Sequence, residues 1–436
     1  MKVEGAKKQT VILTGINGLV RALGLLMRVM LSRRLGAEIM GIMELSQSIH
    51  MVAIAPLTSG LPAAVSRLTA RAQNQDKTDA LYAGMKLVRL CSAIMIPLLW
   101  IFSSPIAHLM GDVRVLPSLW FTAPCILILG YSAVYNGYCY GSNLSLLPAM
   151  SELIEQVSRF LITFLLLNLL HGLTSAWAAA LPVASTMLAE LIGLIFVLGA
   201  LKVPFKRHVK THAGCRAVFQ LAVPTTASRL IQTFLRSLTA ILIPLQLQRS
   251  GLCEAEATAQ LGMYNGMVCP VLMLPGIFTS ALSMVTLPRI AKAEEHPAEL
   301  RRLLVLSFIA CVPFSLLCWA VIWSAAPVLS IVVFRQPEIR TLFEQCAPLT
   351  LLMSLSHLGG SILSALGQQK RSLYASCIVS LLTLALTWLW AGNPMLRIAG
   401  VIRAQYAGLI LSILLSLVIF CVWHSEQATK SDDKFA

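Results

Sequence analysis

Apolar runs about as long as a bilayer is thick recur from end to end of this chain, with the charges gathered in short stretches between them. Reading from charge to charge gives twelve runs, at 10–32, 40–66, 84–108, 117–140, 149–170, 174–200, 217–247, 261–287, 302–333, 346–366, 372–392 and 399–423. A helix needs about 20 apolar residues to cross the hydrocarbon core, so each run is long enough to span. Composition closes the soluble alternative: 57% of the 436 residues are hydrophobic and only 12% are charged. A soluble domain carries about 25% charged residues. The chain reads as an all-α polytopic membrane protein.

Its net charge of +15 would point to nucleic acid in a soluble protein. Here the charge follows the membrane. With the N-terminus, the even-numbered loops and the C-terminus on one side, that side holds 21 of the 34 Lys and Arg. The opposite side holds seven and the spans hold six. Basic residues accumulate on the cytoplasmic face, so both termini are expected in the cytoplasm of a multi-pass plasma-membrane protein, and no nucleic-acid partner is needed. The first apolar run carries Arg21 and Arg28 and leads into a second span, so no cleavable signal peptide is expected. The eleven cysteines lack the close pairing of zinc or redox motifs and read as small apolar residues. No GxxxxGK[ST], HExxH or GxSxG occurs, which argues against the corresponding enzymes; no cofactor or metal is expected.

The most basic connection, Leu201 to Arg216, separates six spans from six and suggests lobes at 1–208 and 209–436. The second half repeats features of the first in the same order. LTSGLPAAVSRLTARA around Thr58 is matched by FTSALSMVTLPRIAKA around Thr279. Arg21 and Arg28 are seven residues apart, as are Arg229 and Arg236. An even number of helices per half makes such a repeat parallel, with a cavity expected between two six-helix lobes.

The charges within the spans are the functional signal. An Arg at mid-span costs about 2.5–3.5 kcal/mol on insertion scales unless it meets water, a counter-charge or a ligand. Seven residues make two helical turns, about 10 Å, so Arg21 and Arg28 share a face, and so do Arg229 and Arg236. Gly24, on the turn between the first two, leaves that face open for a bulky partner. Arg28 and Arg229 snorkelling to the surface is the plainer alternative. The acids Glu44, Glu155 and Glu190 read either as counter-ions or as carboxylates that couple transport to a proton or cation. Glu155 and Arg159 have i, i+4 pairing distance. His50 and His357 read as hydrogen-bonding groups between helices. Pro56, Gly60 and Pro62 interrupt the second span, and Pro270, Pro275 and Gly276 the eighth, as hinges would. The stretches 67–89 and around Glu295 read as amphipathic helices on the membrane surface.

These residues also carry a family resemblance. RALGLLMRVMLSRRLGAEIMG resembles the opening of the stage V sporulation protein B group of the multidrug/oligosaccharidyl-lipid/polysaccharide exporter superfamily. TSGLPAAVSRLTA is similar to that group's G-[IL]-P-x-A-[IV]-S-[KR]-L element, and SELIEQVSR to its S-Q-x-I-E-Q-x-x-R. The resemblance implies a MATE-like, two-lobed transporter that flips a polyprenyl-pyrophosphate-linked saccharide outward by alternating access. It also implies a cationic cavity lined by spans 1, 2, 7 and 8, where the four arginines fall. Wall- or polysaccharide-synthesis enzymes would be its neighbours, and membrane lipids and a coupling ion its other partners. The sporulation proteins carry two further C-terminal helices, and the lipid-linked precursor flippases space their first-span arginines by six, so the cargo class is implied rather than one cargo. The rival readings are a cation-coupled drug exporter on the same scaffold, a polyprenyl-phosphate transferase, and a non-transporting membrane scaffold. A transferase would want acidic metal-binding loops, and these loops are basic.

Overall fold

A computed structural model of the chain describes residues 2–72, 77–170, 172–201, 211–293 and 296–435. Helices dominate, and no strand occurs among the described residues. The first helix, α1 (Lys2–Thr58), contains a single non-helical residue, Gly36, at φ 81° and ψ 176°. That conformation is essentially closed to residues with a Cβ, and it folds the chain into two limbs, the first two spans. The second limb continues, after a break at Ser59, into α2 (Gly60–Arg71). Pro62 sits in the first turn of α2, where its missing N–H is no loss.

The remaining spans follow in order: α3 (Lys77–Ile101) with the short α4 (Ser103–Leu109), α5 (Leu116–Gly141), α6 (Leu146–Leu169), α7 (Ser175–Leu201) and α8 (Thr211–Arg249). Beyond them, α9 (Glu254–Leu261), a π-helical turn at Gly262–Val268, α10 (Cys269–Leu272) and α11 (Gly276–Lys292) make one interrupted span. Then come α12 (Pro297–Val328), α13 (Ile339–Cys346) bent by 46° into α14 (Leu349–Ala365), α15 (Gln369–Ala391) and α16 (Ile398–Phe435).

By length and apolarity alone, eight helices can cross a membrane, or ten if each bent pair is one span. Two features restore the twelve expected. The run Ile12–Arg71 counted as one is two limbs, and α6 is kept out by Glu152, Glu155 and Arg159. The expected surface helix across 67–89 is not a separate element. Its ends are the last turns of α2 and the first turns of α3, and residues 73–76 lie outside the described residues. The segment around Glu295 likewise divides between α11 and α12, with 294–295 outside them. Basic helix ends simply carry on past the apolar run, where long side chains reach the interface.

The chain groups into two compact units, Met1–Ile241 with Glu254–Gly262, and Leu242–Cys253 with Met263–Ala436. The boundary expected at 208/209, with Lys202, Lys206, Arg207 and Lys210, falls outside the described residues. Most of α8 belongs to the first unit, whose core gathers Leu57, Leu61, Val65, Leu81, Val88, Ile126 and Val134 with Val218 and Ala222 of α8. Helices in lipid gain little from hydrophobic burial against one another and rely on close approach of small residues. The buried side of α7, Ala178, Ala179, Ala180, Ala184, Ser185, Ala189 and Gly193, follows that rule. So does Gly60, where a Cβ would overlap the backbone carbonyl of Ala222.

Candidate functional site

The Gly36 break sets the first limb of α1 beside the second. Arg28 of the first limb donates from Nη1 to Glu44 Oε1 of the second at 2.5 Å, with the side chains 34% and 16% exposed. Against that pair lies a cavity of about 240 Å³ lined by Glu44, Gln47, Ser48 and Met51 of α1 and by Thr233, Arg236 and Ser237 of α8. The wall is fixed by hydrogen bonds: Ser237 Oγ donates to the Ser48 carbonyl at 2.8 Å, and Ser48 Oγ to the Glu44 carbonyl at 2.9 Å. Glu44, held by Arg28, and Arg236 thus line one cavity, and Arg236 makes no ion pair among the described residues.

Arg21 and Arg229 lie two turns further along their helices. Both are exposed, and neither makes an ion pair among the described residues. Gly24 is open, since a Cβ there would meet nothing within 4 Å. Of the four expected arginines, Arg236 lines the cavity, Arg28 reaches it only through its pair with Glu44, and the other two lie on the same helices outside it.

The acids of α6 and α7 form a second polar cluster. The expected Glu155–Arg159 pair is not made. Arg159 Nη2 reaches Glu190 Oε1 of α7 at 3.3 Å, and Glu155 Oε1 accepts from Ser151 Oγ at 2.7 Å. Glu155 turns instead toward Gly193, where a Cβ would collide with its carboxylate. Arg159 Nε is buried without an acceptor among the described residues. Two buried carboxylates therefore lie in one cluster whose guanidinium pairs, among the described residues, with Glu190 alone. His50 Nδ1 sits 3.4 Å from Thr122 Oγ1 of α5, the interhelical contact expected of it.

A further network joins residues that sequence reasoning treated only as loop charges. Arg114 donates from Nε to Asp112 Oδ1 at 2.9 Å and from Nη2 to Oδ2 at 2.8 Å, and it also bonds Glu38. Glu254, at the start of α9, lies 3.7 Å away. The hydrogen bond with Asp112 is the main reason the Arg114 pKa is raised above the ordinary arginine value. A faint signal existed in sequence: the acid of LGAE next to the turn glycine, and Asp-x-Arg at 112–114. Nothing in the spacing tied either to Glu254.

Interrupted apolar helices that carry arginines, three of them making no ion pair among the described residues, are the build of a membrane transporter, and solved structures share the fold. The chain superposes on an inward-facing multidrug-resistance MATE family transporter of the MOP superfamily with TM-score 0.76 at 13% identity, over 93% of this chain and 96% of that one. On the lipid II flippase MurJ in an inward closed conformation the TM-score is 0.75 at 14% identity, over 94% and 87%. These likenesses establish the MATE-like fold. The chain belongs to the polysaccharide biosynthesis protein family, whose model matches residues 6–294. It is also 26% identical over 428 residues to stage V sporulation protein B of Bacillus subtilis (strain 168), over 94% of this chain and 82% of that protein. The resemblance carried by the first span, the end of the second span and the fifth span is thereby borne out.

Proposed function

We propose that this protein moves a lipid-linked saccharide between leaflets, with Arg21, Arg28, Arg229 and Arg236 holding its polyprenyl pyrophosphate. The observation that carries this reading is the cavity where Arg236 faces the Arg28–Glu44 pair with no acid of its own. Such a charge within a span costs about 2.5–3.5 kcal/mol, and a diphosphate would offset it through charge-assisted, bidentate hydrogen bonds. At about 240 Å³ the cavity suits that headgroup, while the polyprenyl tail remains in lipid. A lipid-linked cargo agrees with the names of the relatives, a polysaccharide biosynthesis family and a lipid II flippase. A drug exporter would be expected to present acids as the dominant cavity charge, and here Glu44 is already paired with Arg28 and faced by Arg236.

The rest of the mechanism follows from that cargo. Both termini lie in the cytoplasm, where wall- or polysaccharide-synthesis enzymes deliver the lipid. The two halves act as a parallel repeat that alternates access. The breaks at Ser59, beside Pro56, Gly60 and Pro62, and at 273–275, beside Pro270 and Pro275, serve as hinges. Glu155 and Glu190 lie in one cluster with the cation Arg159, paired with Glu190, so one more positive charge balances the cluster; a proton or sodium ion taken up there couples the cycle to a gradient. The test is translocation of defined lipid-linked saccharides in vesicles, with and without proton and sodium gradients. An Arg21→Ala, Arg28→Ala double variant should express normally and fail to translocate; full activity in it would end the proposal.

A further inference from the structure

A second cavity lies wholly within the second unit, where the ends of α8 and α15 leave their apolar runs. It measures about 440 Å³ and is lined by Leu242, Leu245, Gln246, Gln248, Arg249 and Trp388. Ligand sites have volumes of about 300–1,000 Å³. An Arg and a Trp at a helix end are ordinary interfacial anchors when they stand alone. Here both are held by a third residue. Gln246 is 3% exposed, and with its amide oriented by its neighbours its oxygen accepts from Trp388 Nε1 at 2.9 Å and from Arg249 Nη1 at 3.1 Å. Gly392 leaves that amide its room, since a Cβ there would come within 2.8 Å of it.

The chemistry of the cavity follows from what these partners leave unused. A guanidinium has five N–H donors in a rigid fork, and Gln246 takes one of them. No carboxylate lines the cavity, and Arg249 makes no ion pair among the described residues. Trp388 is exposed beside it and ends a stripe of exposed residues on one face of α15: Tyr374, Ile378, Leu381, Ala385 and Trp388. A cationic fork at the head of an apolar stripe matches an anionic headgroup with a tail. Phosphate is the group such a fork binds bidentately.

We propose that this cavity is a binding site for the phosphate of a membrane lipid, with Arg249 holding the phosphate, Trp388 walling the headgroup and Gln246 positioning both. The site is separate from the arginines of α1 and does not depend on what cargo the protein moves. Two lipids share the required chemistry, a polyprenyl phosphate and an anionic glycerophospholipid.

The test titrates purified full-length protein in detergent with a polyprenyl phosphate, with phosphatidylglycerol and with the uncharged polyprenol, following tryptophan fluorescence. A saturable change with at least one phosphate-bearing lipid, lost in Trp388→Phe and weakened about tenfold in Arg249→Gln, supports the site. The lipid that binds more tightly is its occupant. Arg249→Lys keeps the charge on a similar stem should the glutamine variant fail to fold, and it too should bind several-fold more weakly for want of the fork. Wild-type affinity in the arginine variant that folds, equal binding of the uncharged polyprenol, or no saturable change in the wild type would overturn the proposal. Translocation by the wild type in vesicles stands or falls independently of each of these results.

Discussion

Arg28 and Glu44, sixteen residues apart in the chain, close a 2.5 Å ion pair across the Gly36 break. The pair makes Glu44 a partner for one arginine and leaves Arg236, across the same cavity, without one. On the proposed reading, Arg236 is a cation whose removal should disturb cargo binding more than the fold. Arg236→Ala should leave the unfolding temperature unchanged and lower translocation at least about tenfold, since a hydrogen bond to a charged group contributes about 1.5–3 kcal/mol. Parallel thermal melts and vesicle assays test this; unchanged translocation would remove Arg236 from the site.

Two glycines of α1 should respond oppositely to alanine. At Gly36, φ 81° and ψ 176° exclude a Cβ without strain of about 1–3 kcal/mol. At Gly24 a Cβ meets nothing within 4 Å, and alanine in a helix interior is worth about 0.5–1 kcal/mol over glycine. Gly36→Ala should lower the unfolding temperature in detergent and Gly24→Ala should hold or raise it. A reversed order would contradict the hairpin.

Arg159 pairs with the buried carboxylate of Glu190, beside Glu155, which Ser151 holds. Breaking a buried pair by removing one partner costs about 3–5 kcal/mol, because the other charge stays behind. Arg159→Met should therefore be strongly destabilising, and adding Glu190→Gln to it should recover part of the loss. The recovery is read as the interaction energy of a double-mutant cycle; strict additivity would mean that the 3.3 Å contact carries no coupling.

The Arg114 network has a defined pH signature. Its arginine pKa is raised, so the stability it contributes is fully present below the ordinary arginine range. That contribution is lost only as pH climbs through the still higher folded value. Between pH 6 and 8 it is constant. Arg114→Met should lower the unfolding temperature by the same amount at both pH values, and a penalty that changes across that window would point to another titrating group.

The spans were legible because lipid imposes one simple rule, a long enough apolar run, and charges end each run. The arginines within the spans were legible for the same reason, as exceptions to that rule at two-turn spacing. Partners were harder to read. The i, i+4 geometry that favours Glu155–Arg159 is a local preference worth only a few tenths of a kcal/mol, and Glu190 on the neighbouring helix offered Arg159 a buried carboxylate instead. The Arg114 network escaped notice because two of its acids come from positions 38 and 254, which only folding brings to Arg114 and its neighbour Asp112. The affiliation of most of α8 with the first unit was equally hidden, since it rests on small residues such as Ala222 meeting Gly60.

The Gly36 hairpin also bears on how the chain enters the membrane as it is made. A first span bearing both Arg21 and Arg28 is a poor candidate to partition into lipid alone, at about 2.5–3.5 kcal/mol for each deep cation. The second limb brings Glu44 to Arg28, so the two limbs become acceptable to the bilayer together. The nascent hairpin, rather than the first helix, is then the smallest piece that the insertion machinery can release, and Gly36 is the residue on which that release turns.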